Sequence, residues 1–390
     1  MNKIPTKKSG FNPNWQIKTL NEVCNKISAG GDKPDDCTTE KTEENQIPIF
    51  SNGIKNKGLC GYTKTPTITK PALTISARGT IGFACVRYEP FFPIVRLICV
   101  IPNEKLVVLE FLCYALQYII PQGEGTSVPQ LTIPNFKKIE IPIPPLDEQK
   151  RIASALSKID AYLENTIKLI EEKERFKRGI AKKLLTCKEG ENIPEARFKG
   201  FEDEWEIVKL KDMFDNFKEK NNEDKIILAS TIDKGVIPNS LTERKIIRKK
   251  ESLSNYKLVK KGCFVISLMS FQSGFEYSDY EGIISPAYTV LKPKIEMAHY
   301  FYKYYFKSFK FIKDLRPYAE GIRHGKQIKF KACKDILVPY PSIEEQEKIG
   351  GYLSLLDAEI DNLKKQKELI KEMKRGAMQK LLSGEVRLLK

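Results

Sequence analysis

An internal repeat constrains this chain more than any other feature. Residues 141–186 align without a gap to residues 338–383, at a constant offset of 197 positions. The alignment holds 18 identities in 46 positions, among them the pair Gln149 and Gln346. Because a repeat fixes architecture before chemistry is considered, the chain is expected to consist of two similar halves.

A second, shorter match lies at the head of each half. Residues 10–20 resemble residues 200–210, with Trp15 aligned to Trp205 at an offset of 190 positions. The parts between the two matches therefore differ by a net seven residues and have diverged in sequence. The predicted order is a globular domain, a helix, a second globular domain and a second helix.

The repeated segment is predicted to be a long helix. Apolar residues of the second copy alternate at spacings of four and three, which is typical of a coiled-coil seam. They are Ile349, Leu353, Leu356, Ile360, Leu363, Ile370, Ala377 and Leu381. Ser342 and Glu345 have capping-box spacing at the start of this helix. Two copies related by a pseudo-twofold axis would pair antiparallel; the alternative is that each helix packs only on the core of its own domain.

The globular parts are predicted to be mixed α/β domains with many short strands. Runs such as ALTIS, RLICVI and CFVIS, bounded by Gly, Pro and Asn, are typical of strands, whereas residues 106–120 and 299–311 are typical of helices. The expected fold class is α+β: two mixed α/β domains separated by two long antiparallel coiled-coil helices, with a pseudo-twofold internal repeat.

The sequence lacks the motifs of the common enzyme classes. It contains no phosphate-binding GxxxxGK[ST] loop and no Asn/Asp-Pro-Pro-aromatic signature of amino-methyltransferases. Nine cysteines without a CxxC pair indicate free thiols, and two histidines offer little for a zinc site. No signal peptide or membrane-spanning run is recognisable, so we expect a cytoplasmic protein. We predict no catalytic, cofactor-binding or metal-binding residues.

Positive charge is concentrated in the globular domains. The formal net charge is +16, from 66 basic and 50 acidic residues. Residues 51–100 contain seven basic residues and one acid, residues 244–261 eight and one, and residues 303–334 ten and two. A charged run is often only a solvated face, but basic surfaces on both copies of a duplicated domain favour a polyanion as ligand. Double-stranded DNA is the polyanion expected here.

Residues that read sequence should differ between the two halves, because two identical domains would read the same bases. Shared residues such as Trp15, Trp205, Gln149 and Gln346 are expected to serve packing or partner docking. The candidate DNA-binding residues of the first half are Lys55, Lys57, Arg78, Thr80, Thr126, Ser127 and Gln130. Those of the second half are Arg244, Arg248, Ser270, Gln272, Arg323, His324, Lys326 and Gln327. Since Gln130 and Gln327 are 197 positions apart, they have either a structural role or a shared adenine contact.

The duplicated segment resembles the specificity (S) subunit of type I restriction-modification systems. The resemblance rests on VPQLTIPNFKKIEIPIPPLDEQKRIA at 128–153, on IPEARFKGFEDEWEIVKL at 193–210, and on the repeated Arg-Gly-x-x-x-Lys-Leu-Leu helix. It implies a first target-recognition domain, a central spacer helix, a second target-recognition domain and a C-terminal spacer helix. The corresponding boundaries are 1–146, 147–190, 191–343 and 344–390.

The resemblance also implies function and partners. Such subunits bind a split double-stranded DNA target and scaffold two modification (methyltransferase) subunits and two restriction (endonuclease and translocase) subunits. S-adenosylmethionine and ATP are then expected on those partners and not on this chain, which would not itself be an enzyme. No base contact carries over, because the recognition domains match the family weakly. A structural coiled-coil adaptor that binds acidic proteins is the alternative.

Overall fold

The computed structural model describes residues 11–120, 131–242, 253–266, 274–320 and 327–388. Two compact units make up the chain. Unit 1 comprises Met1–Ile167 and Lys365–Lys390, and unit 2 comprises Lys168–Lys364. None of the helices in these described ranges is long and apolar enough to cross a membrane.

The first half of the chain contains nine described strands and four described helices. The strands are β1 (Gln16–Thr19), β2 (Cys24–Ala29), β3 (Ile47–Phe50), β4 (Leu59–Thr63), β5 (Ala72–Ile75), β6 (Ala84–Arg87), β7 (Phe92–Pro93), β8 (Ile98–Pro102) and β9 (Glu140–Ile143). The helices are α1 (Leu20–Val23), α2 (Leu109–Ile119), α3 (Ile133–Lys137) and α4 (Leu146–Leu185).

The second half repeats this order with small additions. Its described strands are β10 (Glu206–Lys209), β11 (Phe214–Phe217), β12 (Leu228–Thr231), β13 (Gly235–Pro238), β14 (Lys257–Val259), β15 (Phe264–Ile266), β16 (Phe275–Tyr277), β17 (Gly282–Ile284), β18 (Thr289–Pro293), β19 (Ala319–Glu320), β20 (Gln327–Ile328) and β21 (Leu337–Tyr340). Its described helices are α5 (Leu210–Met213), α6 (His299–Tyr305), α7 (Phe309–Leu315), α8 (Phe330–Cys333) and α9 (Ile343–Ser383).

Each unit is built on the same four-stranded antiparallel sheet. The strand order is β2-β8-β5-β6 in unit 1 and β11-β18-β15-β16 in unit 2. A two-stranded antiparallel ribbon accompanies each sheet, formed by β1 and β9 in unit 1 and by β10 and β21 in unit 2. The strand that closes each ribbon leads directly into a long helix, so the ribbon fixes where that helix begins.

The long helices contribute to the core of both units. In unit 1, Ile152 and Leu156 of α4 are fully buried in one cluster with Leu382 near the end of α9. In unit 2, Leu185 near the end of α4 lies in one cluster with the fully buried Leu353 of α9. Each helix segment therefore packs both on a globular domain and with a segment of the other long helix.

The paired segments run antiparallel within each unit. In unit 1, Asp160 pairs with Lys374, and Tyr162, two residues further along, contacts Gln366. In unit 2, Glu174 pairs with Lys364 at 2.7 Å, and Lys177, three residues further along, pairs with Asp357. The predicted fold class is confirmed: an α+β chain with two similar mixed domains and two long helices whose paired segments are antiparallel.

One predicted helix is divided in two. Residues 299–311 were expected to form a single helix, but α6 ends at Tyr305 and α7 begins at Phe309. The hydroxyl of Ser308 accepts a hydrogen bond from the backbone N–H of Phe311 at 3.3 Å and caps the second helix. A serine side chain that satisfies the first free N–H groups favours a new helix start over continuation of the old one.

Candidate nucleic-acid interface

Two loops of unit 1 that carry predicted DNA-binding residues are joined by hydrogen bonds. They are the 51–58 loop, between β3 and β4, and the 76–83 loop, between β5 and β6. The backbone N–H of Gly53 donates to the hydroxyl of Ser76 at 3.2 Å, and the backbone N–H of Ala77 donates to the side-chain oxygen of Asn52 at 2.7 Å. The two loops therefore form one surface.

The basic side chains of these loops point to solvent. Lys55, Lys57 and Arg78 are all exposed. The ammonium of Lys57 lies 3.0 Å from the carboxylate of Glu164 on α4, and both side chains are more than half exposed. An exposed pair of this kind contributes little stability, so a phosphate can compete for Lys57 at little cost.

The remaining candidate in these loops, Thr80, is half-buried. Its hydroxyl oxygen is inaccessible to solvent and has no hydrogen-bond partner among the described side chains and backbone. A buried hydroxyl without a partner costs free energy. The structure thus places Thr80 under the loop surface and not at its exposed face.

The 51–58 loop has an unusual backbone. Asn56 and Lys57 have φ angles of 50° and 53°, in the left-handed region. Asparagine tolerates this region, but a lysine there costs roughly 1–2 kcal/mol. A short 3-10 turn, Lys55–Gly58, results, and Arg87 holds it by donating to the backbone carbonyl of Lys57. The strained backbone keeps two lysines together at the loop tip.

Most of the other predicted contacts lie outside the described residues. They are Thr126, Ser127, Gln130, Arg244, Arg248, Ser270, Gln272, Arg323, His324 and Lys326. Gln327 begins β20, where its backbone pairs with that of Glu320. All of these remain predictions.

Unit 2 has a basic surface that the sequence analysis identified only in part, through the basic run at 244–261. The ammonium groups of Lys260 and Lys292 lie 5.6 Å and 5.5 Å from the centre of the Phe217 ring. Burial lowers the pKa of nearby Lys257, and the charges of Lys218 and Lys220 lower it further. We call this group, Phe217 with Lys218, Lys220, Lys257, Lys260 and Lys292, the Phe217 patch. Lys257 and Lys260 belong to the basic run at 244–261, and Lys218 and Lys220 belong to the NFKEK run at 216–220, whereas Lys292 lies in neither run.

The shared glutamines anchor each long helix to its own domain. In unit 1, the side-chain oxygen of Gln149 accepts from the N–H of Val108 at 2.8 Å, and its amide donates to the carbonyls of Leu106 and Pro144 at 3.0 Å and 2.8 Å. Val108 is the N-cap residue of α2. Gln149 is fully buried, so it joins the starts of two helices.

Unit 2 repeats this anchor with one bond fewer. The side-chain oxygen of Gln346 accepts from the N–H of Ala298, the N-cap residue of α6, at 2.9 Å. Its amide donates to the carbonyl of Pro341 at 2.8 Å. Both glutamines are completely buried, so they act in packing and not in reading bases.

A second anchor, present in both units, joins each domain to both long helices. In unit 1, the Tyr114 hydroxyl donates to the carboxylate of Asp160 at 2.8 Å, and that carboxylate pairs with Lys374 at 2.6 Å. The same contacts recur in unit 2 among Tyr304, Asp357 and Lys177. Burial raises the pKa of both tyrosines, and the hydrogen bond to aspartate raises it further. Each aspartate therefore links three elements of its unit.

A third anchor, in unit 2, uses a bidentate ion pair. Arg197 binds the buried carboxylate of Glu345 through two hydrogen bonds, at 2.8 Å and 2.7 Å, and Trp205 donates its indole N–H to the same carboxylate at 2.9 Å. These bonds raise the pKa of Arg197. The carboxylate thus joins the start of α9 to the segment that follows α4.

Unit 1 contains the equivalent ion pair, between the start of α4 and the segment that follows α9. Arg387 binds Glu148 at 2.6 Å and 2.7 Å and lies 5.6 Å from the centre of the Trp15 ring. The buried indole N–H of Trp15 has no hydrogen-bond partner among the described residues. The backbone N–H of Asn12 donates to the carbonyl of Ser383 at 2.7 Å. In unit 1, the residues that follow α9 therefore occupy the position that the residues following α4 occupy in unit 2.

Comparison with known proteins decides the family. The family model of the type I restriction modification DNA specificity domain matches residues 12–172 and again residues 202–372. This chain belongs to that family. The two matches cover most of its length and coincide with the two copies of the repeat, so the resemblance seen in the sequence is confirmed.

Relatives of this specificity-domain protein are similar over different parts of the chain. A putative type I specificity subunit of Mycoplasma pneumoniae is 37% identical over 153 residues, which are 38% of this chain and 45% of the relative. The chain thus spans less than half of that relative, and 39% of a second one from the same organism. A type I restriction enzyme specificity subunit of Methanocaldococcus jannaschii is 28% identical over 309 residues, covering 73% of this chain and 72% of the relative.

Solved structures show the same fold over nearly the whole chain. The crystal structure of a type I restriction-modification S subunit from M. genitalium superposes with a TM-score of 0.60 at 18% identity, covering 98% of this chain and 99% of that one. A structure from work on complex assembly of the type I system gives a TM-score of 0.54 at 15% identity, covering 97% of this chain and all of that one.

Proposed function

We propose that this chain is the DNA-sequence-specificity subunit of a type I restriction-modification complex, binding a bipartite double-stranded DNA target through its two domains. The observation that carries the proposal is the duplication of one domain with a different basic surface on each copy. Unit 1 presents its joined loops and unit 2 presents the Phe217 patch. Two unlike surfaces on one scaffold suit a target with two unlike halves.

In this proposal, phosphates and bases are contacted by different groups. Exposed Lys55, Lys57 and Arg78 supply charge to the backbone of one half-site, and Lys260 and Lys292 supply it to the other. Phosphate contacts give affinity and position the domain, whereas sequence is read by side chains that reach base edges in a groove. The anchors described above hold each domain on its segments of the long helices.

We also propose that the long helices are the scaffold for two modification subunits and two restriction subunits. Phe176 of unit 2 is 52% exposed, and Met373, at the equivalent repeat position in unit 1, is 48% exposed. Both side chains lie on a long helix at the same repeat position, and we therefore take them as the candidate docking residues for a protein partner. The chain itself carries no catalytic role; the partners hold S-adenosylmethionine and ATP.

Footprinting of the purified chain with and without modification subunits tests this function. We expect protection restricted to two short sequences with a fixed gap. The absence of sequence-restricted protection, with and without modification subunits, would instead favour an adaptor for acidic proteins. Methylation or cleavage by the purified chain alone would contradict the non-catalytic role.

Co-purification with modification subunits tests the docking face. Phe176→Glu and Met373→Glu should weaken co-purification, because a carboxylate would be desolvated in an apolar interface. Ile17→Glu is the matched control, since Ile17 is equally exposed, at 50%, but lies on β1. Equal losses from all three variants would count against docking on the helices.

A further inference from the structure

A tight turn in unit 1 stands beside the two joined loops. It connects β7 to β8, and we call it the 94–97 turn. The backbone N–H of Leu97 donates to the carbonyl of Ile94 at 3.1 Å and closes it. Its two central residues, Val95 and Arg96, have φ angles of 53° and 58°. Two consecutive positive φ angles are usually supplied by Asn and Gly, as in type I′ turns.

Valine is an unfavourable residue for this backbone. A β-branched side chain in the left-handed region is a genuine outlier, which persists only where surrounding contacts determine the conformation. Here they do so, because Val95 and Arg96 donate their backbone N–H groups to the carbonyls of Gly31 and Gly30 at 2.8 Å and 3.0 Å. A Cβ at Gly30 would lie 2.7 Å from the backbone of Pro93, so only glycine allows this approach.

The side chains of the two strained residues are not part of the hydrophobic core. Val95 is 50% exposed. Arg96 is also exposed, and within the described residues its guanidinium has no ion-pair partner. An apolar side chain and a free cation are thus held side by side at the tip of a rigid turn. Packing alone does not account for the strain.

One side chain ties this turn to both loops. The amide of Asn52 donates to the carbonyl of Val95 at 2.7 Å, and its oxygen accepts from the N–H of Ala77 at 2.7 Å. Asn52 itself belongs to the 51–58 loop. Hence the basic residues of that loop, Arg78 of the 76–83 loop and the turn tip have fixed relative positions.

We propose that Val95 and Arg96 read bases in the half-site bound by unit 1, and that Asn52 is the positioning residue that holds them there. This inference rests on the proposed function and adds the residues that determine specificity. An apolar side chain recognises the methyl group of thymine in the major groove, and an arginine recognises the O6 and N7 of guanine. The expected contacts are therefore a thymine at Val95 and a guanine at Arg96.

Methylome sequencing of cells that express the complete system with variant chains tests this proposal. Val95→Gly and Val95→Asn keep the turn, because both residues adopt positive φ readily, and their melting temperatures should stay near that of the wild type. Asn52→Asp keeps the acceptor for Ala77 but loses the donor to Val95. Ile17→Ala is the control, because Ile17 has the same exposed fraction as Val95.

We expect each Val95 variant, and Arg96→Gln, to relax one base position in the same half-site. Discrimination there should fall by about 5- to 150-fold, the range of a lost base contact. Asn52→Asp should relax the same positions more weakly, and Ile17→Ala should change nothing. The second half-site should keep its full sequence in every variant, a pattern that a purely structural role would not produce.

Two results would overturn the inference while leaving the proposed function intact. One is an unchanged motif in the Val95 and Arg96 variants. The other is an equal loss of methylation at both half-sites, which would indicate a general effect on assembly. If the wild-type system showed no two-part methylation motif, the proposed function itself would be contradicted.

Discussion

The buried glutamines Gln149 and Gln346 allow the same prediction to be tested in both units. Gln346→Met should destabilise unit 2, because methionine fills a similar volume but leaves the N–H of Ala298 and the carbonyl of Pro341 without partners. A buried backbone group that loses its partner costs about 1–3 kcal/mol. We therefore expect a loss of about 3 kcal/mol, which for a unit of this size lowers Tm by roughly 6–12 °C.

Gln149→Met should destabilise unit 1 somewhat more. Gln149 makes three hydrogen bonds where Gln346 makes two, so the loss should be about 1 kcal/mol larger. Gln379→Met is the matched control, because Gln379 lies exposed on α9. Exposed substitutions of this kind change stability by less than about 0.5 kcal/mol.

The two tryptophans make the assay specific for each unit. Trp15 lies in unit 1 and Trp205 in unit 2, and both are buried. Urea titrations followed by fluorescence in Trp15→Phe and Trp205→Phe backgrounds therefore report the units separately. Gln346→Met should shift the Trp205 transition and spare that of Trp15. A shift below about 1 kcal/mol, or one confined to Trp15, would refute the anchor argument.

Three further predictions follow from the same contacts. Asp160→Asn and Asp357→Asn should each cost about 1–2 kcal/mol, measured by urea titration, because each loses an ion pair and weakens a tyrosine hydrogen bond; neutral effects would mean that the helix segments are held by apolar contacts alone. Burial raises the pKa of Tyr304 above its unfolded value near 10. The contribution of the neutral Tyr304 hydroxyl to stability is therefore present below about pH 10 and is lost as the pH rises above it. Melting scans should show a shallower alkaline decline in Tyr304→Phe, and an unchanged decline would contradict the burial argument. Lys55→Ala and Arg78→Ala should each reduce the slope of log K against log salt by about one for DNA binding, and an unaltered slope would remove that residue from the phosphate contacts.

The sequence predicted the repeat-based parts of the fold because those parts depend on local pattern. The heptad residues Leu353, Leu356 and Ile360 are buried as the periodicity requires, and the hydroxyl of Ser342 caps α9 by accepting from the N–H of Glu345 at 3.3 Å. The expected return bond of the capping box is replaced, since the carboxylate of Glu345 binds Arg197 instead. A contact between residues 148 positions apart has no local signal.

The candidate interface was less predictable for a related reason. Charge counting pointed to the loops that carry Lys55 and Arg78, and the structure places both side chains at the surface; their contact with DNA stays a prediction. Charge counting missed Asn52, whose role depends on meeting Ala77 and Val95 in space. The loops have diverged between the halves, so the repeat gave no second copy against which to recognise that role.

The proposal of a split DNA target is tested most directly by a change in the length of both long helices. Seven residues inserted after Ile167 in α4 and after Lys364 in α9, which are equivalent repeat positions, add about 10 Å of helix. At roughly 3.4 Å per base pair, methylome sequencing should show both half-sites unchanged and the gap between them longer by about three base pairs. An unchanged gap, or a motif that loses one half-site altogether, would contradict the claim that this chain reads a split target through two domains on a helical spacer.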